Sequence, residues 1–317
     1  MSKQLQFELW QECNSKCKFC YLGKENCYTP NEIKLQSLQN ALDKISDLSI
    51  YKEYDTLSYL GGEFFQGQLN TPEIKSKFME LMDKSRWLLD NDYIENVWIN
   101  ITLTIGNQND LYDVLKRFEG HKGNLWLLTS YDTLGRFHSQ KMLDNWDYHM
   151  KNIHKLYPEI KFNITTILSE DCIDKYLNNK LSFKKMMEEY HCSFFFKQCG
   201  NGPYSKEEMN TILPHFFPPR DKFIDFLQKF RNEENDEMWN KLFNIHYRAD
   251  SLYRNFNDKN HQMELNVRHK DSLNEIENNN KDEMETNDCG HLKVYAAYID
   301  CDDCVLCDKL MIEELLK

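Results

Sequence analysis

Residues 13–20 read Cys13-Asn14-Ser15-Lys16-Cys17-Lys18-Phe19-Cys20, three thiols within eight residues, directly behind Leu5, Phe7 and Leu9 on alternate positions. Period-two alternation predicts a strand over about 4–10, which puts the cysteines on the loop that leaves it. Four thiolates would close the coordination of a zinc ion or an iron–sulfur cubane, whereas three leave one iron of a cubane for another ligand. An open coordination position marks metal sites that do chemistry, a rule stated for zinc and extended here by analogy.

Working outward from this loop, strands and helices alternate. Strands are predicted at 56–60, 97–105, 125–130, 161–168 and 193–196, and helices at 31–47, 72–89, 109–118 and 140–156, with helical material across 170–190. Pro72 stands near a first helical turn, where its missing N–H costs nothing. Six strands separated by helices predict an α/β fold of parallel units, because parallel neighbours need a crossover between them.

Beyond this region, 205–256 reads as helical with a break at Pro218-Pro219. Its aromatics, Phe223, Phe226, Phe230, Trp239 and Phe243, are read as packing. Residues 258–288 are nearly all polar and read as a linker or solvated excursion. A strand at 294–299, a cysteine-rich stretch and a short helix complete the chain. The expected organisation is a barrel-like unit over 1–200, a helical connecting segment over 201–257, the polar linker over 258–288 and a cysteine-rich region over 289–317.

The chain has 317 residues, 39 basic and 51 acidic, for a formal charge of −12, and 41% of it is hydrophobic. That supports a buried core and excludes global disorder. The negative surplus disfavours a nucleic-acid partner held by broad phosphate neutralisation. No run approaches the roughly 18–20 apolar residues of a membrane span, and no signal peptide is read, so the expected compartment is the reducing cytoplasm with no membrane partner. Eleven cysteines there point to metal centres rather than disulfides.

The Cys13/Cys17/Cys20 spacing, with Phe19 before the last cysteine, resembles the cluster loop of the radical S-adenosylmethionine (SAM) superfamily. The strand at 56–60 runs into Gly61-Gly62-Glu63, similar to that family's GGE motif. Two glycines allow close backbone approach, and a carboxylate accepts hydrogen bonds from an amino group such as that of SAM. Thr104-Ile105-Gly106-Asn107 resembles a Thr-Asn-Gly-like turn of the family, and Ser130-Tyr131-Asp132 a Ser-Leu-Asp segment whose serine approaches the SAM ribose. Asn107 also suits a turn, and Ser130 or Asp132 a helix cap. For the arginine that contacts the SAM carboxylate in relatives, Arg136 and Lys141 are the nearest candidates. Thr165, Thr166 and Ile167, where relatives line the adenine, read as ordinary strand core.

Cys289-Gly290, followed by Cys301, Cys304 and Cys307, resembles the start of the SPASM or twitch extensions of the same superfamily. Cys301 and Cys304 depart from the usual pattern there. These four cysteines suffice for one auxiliary [4Fe–4S] cluster, with zinc as the alternative. The remaining thiols, Cys27, Cys172, Cys192 and Cys199, read as inert, with hydrogen-atom donation or cluster ligation as the alternative for Cys199, and the histidines form no ligand set. No phosphate-binding loop or nucleophile elbow is present.

The resemblance implies a partial (β/α)6 barrel whose [4Fe–4S] cluster binds SAM at its open iron through Phe19, Gly61, Gly62, Glu63, Thr104, Asn107 and Ser130. It also implies a reductant such as flavodoxin or ferredoxin and a peptide or protein substrate. The alternatives are a small-molecule or nucleotide substrate, or a non-catalytic zinc-binding protein.

Overall fold

A computed structural model describes residues 4–20, 28–197, 206–234, 251–255 and 263–267. The elements in chain order are β1 (Gln4–Glu8), α1 (Asn31–Ser46), β2 (Thr56–Leu60), α2 (Pro72–Asp90), β3 (Asn96–Asn100), α3 (Asn109–Phe118), β4 (Asn124–Tyr131), α4 (Gln140–Leu156), β5 (Lys161–Ile167), α5 (Glu170–Leu177), α6 (Phe183–Tyr190), β6 (Cys192–Lys197), α7 (Lys206–Ile212), α8 (Arg220–Glu233), β7 (Ser251–Asn255) and β8 (Met263–Val267). Strands β1 to β6 lie side by side in sequence order, every neighbouring pair parallel. The α/β class and the parallel sheet are therefore as the sequence predicts.

Local chemistry explains where the helices start. The side chains of Thr71, Ser139, Ser169 and Ser182 each accept a hydrogen bond from a backbone N–H in the first turn of α2, α4, α5 and α6. Pro72 opens α2 as expected. The helical stretch 170–190 is two helices, because Asn179 adopts φ +57° and Ser182 starts the second.

Along each strand one face is apolar and the other is not. Cross-strand rows Leu5, Leu57, Val97, Leu125 and Phe7, Tyr59, Ile99, Leu127, Phe162 are buried in one hydrophobic core. Phe223, Phe226 and Phe230 of α8 join that core, in keeping with their reading as packing. The opposite rows carry Gln6, Ser58, Trp98 and Trp126, and then Asn100, Leu128, Asn163 and Ser193. On this second face Trp98 of β3 meets Phe195 of β6 with ring centroids 6.4 Å apart. Three strand intervals in a flat sheet would hold such rings about 14 Å apart. The sheet therefore curls, with its polar and aromatic rows on the concave side, a geometry compatible with a partial barrel.

Three features differ from expectation. Strand β3 ends at Asn100 rather than at 105, because Leu103 at φ +60° takes the chain out of the extended conformation. Strand β7 lies within the segment read as helical and pairs parallel to β1, so β1 is not an edge. Strand β8 falls within the segment read as linker and pairs antiparallel with β7. Its apolar Met263, Leu265 and Val267 alternate with Glu264 and Asn266, a strand pattern hidden by the polar average around it. Trp239, Phe243, the strand at 294–299 and the terminal helix lie outside the described residues. Among those described, no helix is long and apolar enough to cross a membrane.

Candidate cofactor site at the strand ends

The cysteine loop leaves β1 at the carboxyl end of the parallel strands, where open α/β sheets bind ligands. The exits of β2, β3 and β4 converge on it. Gly62 N–H donates to the Trp10 carbonyl at 2.9 Å and Glu63 N–H to the Glu12 carbonyl at 2.9 Å. A Cβ on Gly61 would stand 2.5 Å from the Trp10 oxygen, and one on Gly62 2.4 and 2.3 Å from those of Gln11 and Glu12. The close approach that requires both glycines is thus to the chain's own β1 exit, where the sequence reading supposed a ligand.

A second set of contacts comes from the exits of β2 and β3. Asn14 Nδ2 donates to the Gln66 carbonyl at 2.9 Å. Gln66 Nε2 lies 3.1 Å from Ser15 Oγ, 2.8 Å from Thr102 Oγ1 and 2.8 Å from Thr104 Oγ1. The Thr104 hydroxyl, predicted to meet the cofactor, is engaged with Gln66. The left-handed Leu103 lies between the two threonines, a strained conformation of the kind that clusters at functional sites.

A third set comes from the β4 exit. Lys18 N–H donates to the Gly135 carbonyl at 3.2 Å, and His138 Nε2 lies 2.9 Å from the Ser15 carbonyl and 3.1 Å from that of Lys16. Asp132 Oδ1 accepts from the amides of Leu134 and Gly135, so this residue shapes a turn, while Ser139 caps the following helix. Phe19 packs against the buried Leu213 and Phe216, as Leu134 and Ile167 also do, anchoring the loop through apolar contact. The Arg136 guanidinium lies 5.7 Å from the Phe19 ring centroid. Of the two cations the sequence offered, Arg136 is the one at the loop; Lys141 is exposed on α4.

A buried ion pair anchors the same loop to α1. Lys34 Nζ is 2.7 Å from Glu12 Oε2 and donates to the Gln68 carbonyl at 3.0 Å, while Thr29 N–H donates to Glu12 Oε2 at 3.1 Å.

Cys13, Cys17 and Cys20 are partly exposed and reduced, in no disulfide with one another. Burial pushes the Cys13 thiol pKa up, as does the charge of Glu63, while the Ser15 amide, 3.4 Å from Cys13 Sγ, pulls it down. Burial likewise raises Cys17, with Arg136 opposing and Cys20 and Asp132 reinforcing. Consecutive cysteines of the loop are thus within electrostatic reach of one another. No three His, Cys, Asp or Glu side chains among the described residues converge on a single ion position. That is the requirement of mononuclear zinc; in a cubane each cysteine takes a different iron, and the thiols stand further apart.

Glu63 is buried. Its Oε1 accepts from the amides of Phe64 and Phe65 at 2.9 and 3.0 Å, and its Oε2 makes no hydrogen bond. Burial raises the Glu63 carboxyl pKa, and Thr102 and the two amides oppose the shift. Ser130, the penultimate residue of β4, pairs with Thr165 on the concave side. Asn107 is exposed, and its Oδ1 accepts from Asn109 N–H at 3.1 Å, which is turn chemistry at the entry to α3. Thr166 is fully buried and Thr165 and Ile167 partly so. His149 is a satisfied core histidine between Tyr112 and the Ile105 carbonyl. Cys172 and Cys192 are buried. Cys27, Cys199, Cys289, Cys301, Cys304 and Cys307 lie outside the described residues.

Sequence reasoning passed over Ser15, Gln66, Thr102, Gly135 and His138. The available signal was Gln66 and Gln68, polar residues placed among Phe64, Phe65 and Leu69 just after the glycines. A cleft of about 340 Å³ elsewhere, between α4 and α6, shares no residue with the cysteine loop. There Tyr190 donates to Asp147 at 2.6 Å, which leaves the pair satisfied. No protein-family model matches the chain, and no curated protein is detectably similar to it.

Proposed function

We propose that the chain is a radical SAM enzyme. The observation that carries the reading is the docking of Gly61-Gly62-Glu63 on residues 10–12, the backbone that leads directly into the Cys13/Cys17/Cys20 loop, with the Glu63 charge reaching Cys13, at the carboxyl edge of a curled parallel sheet. The residues fit the group: three reduced thiols on one loop, a nearby guanidinium and a buried carboxylate oxygen, Glu63 Oε2, that makes no hydrogen bond. When bound and reduced, a [4Fe–4S] cluster on these cysteines would supply the electron for reductive cleavage of SAM.

The chain's own residues then have these tasks. Cys13, Cys17 and Cys20 would hold the cluster through their three sulfurs. Glu63 Oε2 accepts a hydrogen bond from an amino group, and Arg136 offers a cation to a carboxylate. Phe19 and Gly135 hold the loop in place, and the helix-covered sheet keeps bulk water from one side of the site. Trp98, Trp126 and Phe195 line the concave face, where an apolar or planar part of a substrate would rest. A peptide or protein substrate is the first reading and a small molecule or nucleotide the second. Cys289, Cys301, Cys304 and Cys307 are assigned to one auxiliary cluster, with zinc as the alternative.

Anaerobic reconstitution followed by iron and zinc analysis and detection of 5′-deoxyadenosine tests this. The expected result is iron uptake with SAM cleavage under a strong reductant, abolished by Cys17→Ala and retained, uncoupled, in Cys304→Ala. Zinc uptake alone with no 5′-deoxyadenosine would leave the non-catalytic alternative standing.

A further inference from the structure

Ser15, between the first two cysteines, is 3% exposed, and each of its polar groups has a partner. Its N–H lies 3.4 Å from Cys13 Sγ, its hydroxyl 3.1 Å from Gln66 Nε2 and its carbonyl 2.9 Å from His138 Nε2. The first of these contacts touches a ligand sulfur, and the other two decide where that N–H points.

Gln66 is 8% exposed, and its carbonyl accepts from Asn14 at 2.9 Å, so it grips the loop on two consecutive residues. The same side chain is braced from behind by Thr102 and Thr104, each at 2.8 Å. Hydroxyls donate as well as accept, so they hold the amide in either orientation.

We infer that Gln66 is a positioning residue for the cluster: through Ser15 it fixes the N–H···S hydrogen bond to Cys13 and thereby sets the cluster's reduction potential. This rests on the iron–sulfur reading of the cysteine loop. Hydrogen bonds to ligand sulfurs stabilise the more negatively charged, reduced state, so they raise the potential. Removing the Gln66 amide frees the Ser15 hydroxyl, lets the loop relax and weakens the bond to Cys13.

The test uses full-length Gln66→Met, which keeps length without polarity, and Thr104→Val, which removes one brace. Each is reconstituted, assayed for iron and melting temperature, and titrated potentiometrically with EPR detection beside wild type and Gln36→Met, an exposed control. A more negative midpoint potential is expected in Gln66→Met and a smaller shift of the same sign in Thr104→Val, with the control unchanged. Iron-loaded Gln66→Met and Thr104→Val with the wild-type potential would overturn the inference and leave the enzyme reading intact. Should Gln66→Met not fold, Thr104→Val alone decides by the same criterion. A wild-type chain that takes up no iron would instead sink the enzyme reading, and this inference with it.

Discussion

Phe19 Cδ1 lies 2.5 Å from where a Cβ on Gly135 would be, so the ring of the cysteine loop fills the space that glycine leaves open on the β4 exit. Lys18 N–H donates to the carbonyl of that same glycine, which makes the contact a two-point clasp. Gly135→Ala must push the ring and the loop with it. The expected cost is about 1–3 kcal/mol of overpacking. Chemical denaturation should show that loss, and reconstitution should show reduced iron retention. A variant that loads iron and melts like wild type would mean that Phe19 simply swings aside.

Much of this architecture was legible because its signals are local. Thr71-Pro72, Ser139, Ser169 and Ser182 start helices by satisfying first-turn amides, and alternation such as Leu5, Phe7, Leu9 needs only neighbouring residues. Strand β3 was overread because Ile99, Ile101, Leu103 and Ile105 keep alternating after the backbone has left the sheet; burial of Ile101 and Leu103 in the loop satisfies the same pattern. Strand β7 gains its identity from pairing with β1, some 245 residues earlier, and no local feature encodes that partner. The cysteines and the glycine pair were legible as motifs, but their physical duty was only partly so. Gly61 and Gly62 answer to the Trp10 and Glu12 carbonyls, and Gln66 gains its role from hydroxyls on two distant segments.

Lys34 is wholly buried against Glu12, whose side chain is 12% exposed, and the pair ties α1 to the chain just before Cys13. Removing one member of a buried pair strands the other charge at about 3–5 kcal/mol, whereas replacing both is far milder. Lys34→Met should therefore destabilise strongly in urea or guanidinium titrations, and Glu12→Gln in the Lys34→Met background should recover much of the loss. Additive losses in the double variant would show that the two charges do not depend on each other.

Glu63 is a buried carboxyl whose pKa burial raises, against opposition from Thr102 and the amides of Phe64 and Phe65. The folded chain then holds this proton to higher pH than the unfolded one. Its effect on stability is least costly below the ordinary carboxylate pKa, and stability falls as pH rises from there to the raised folded value. Above that value the ionised group stays buried with Oε2 unsatisfied. Glu63→Gln removes the titration, so its melting temperature should change less across that window than wild type does. At pH 8 the variant should be more stable than wild type, because a neutral amide replaces a buried charge. The same substitution weakens acceptance of an amino group and should lower SAM affinity in equilibrium binding. A gain in stability together with a loss of binding is what a carboxylate kept for a ligand gives; an apo variant less stable than wild type at pH 8 would show that the charge serves the fold instead.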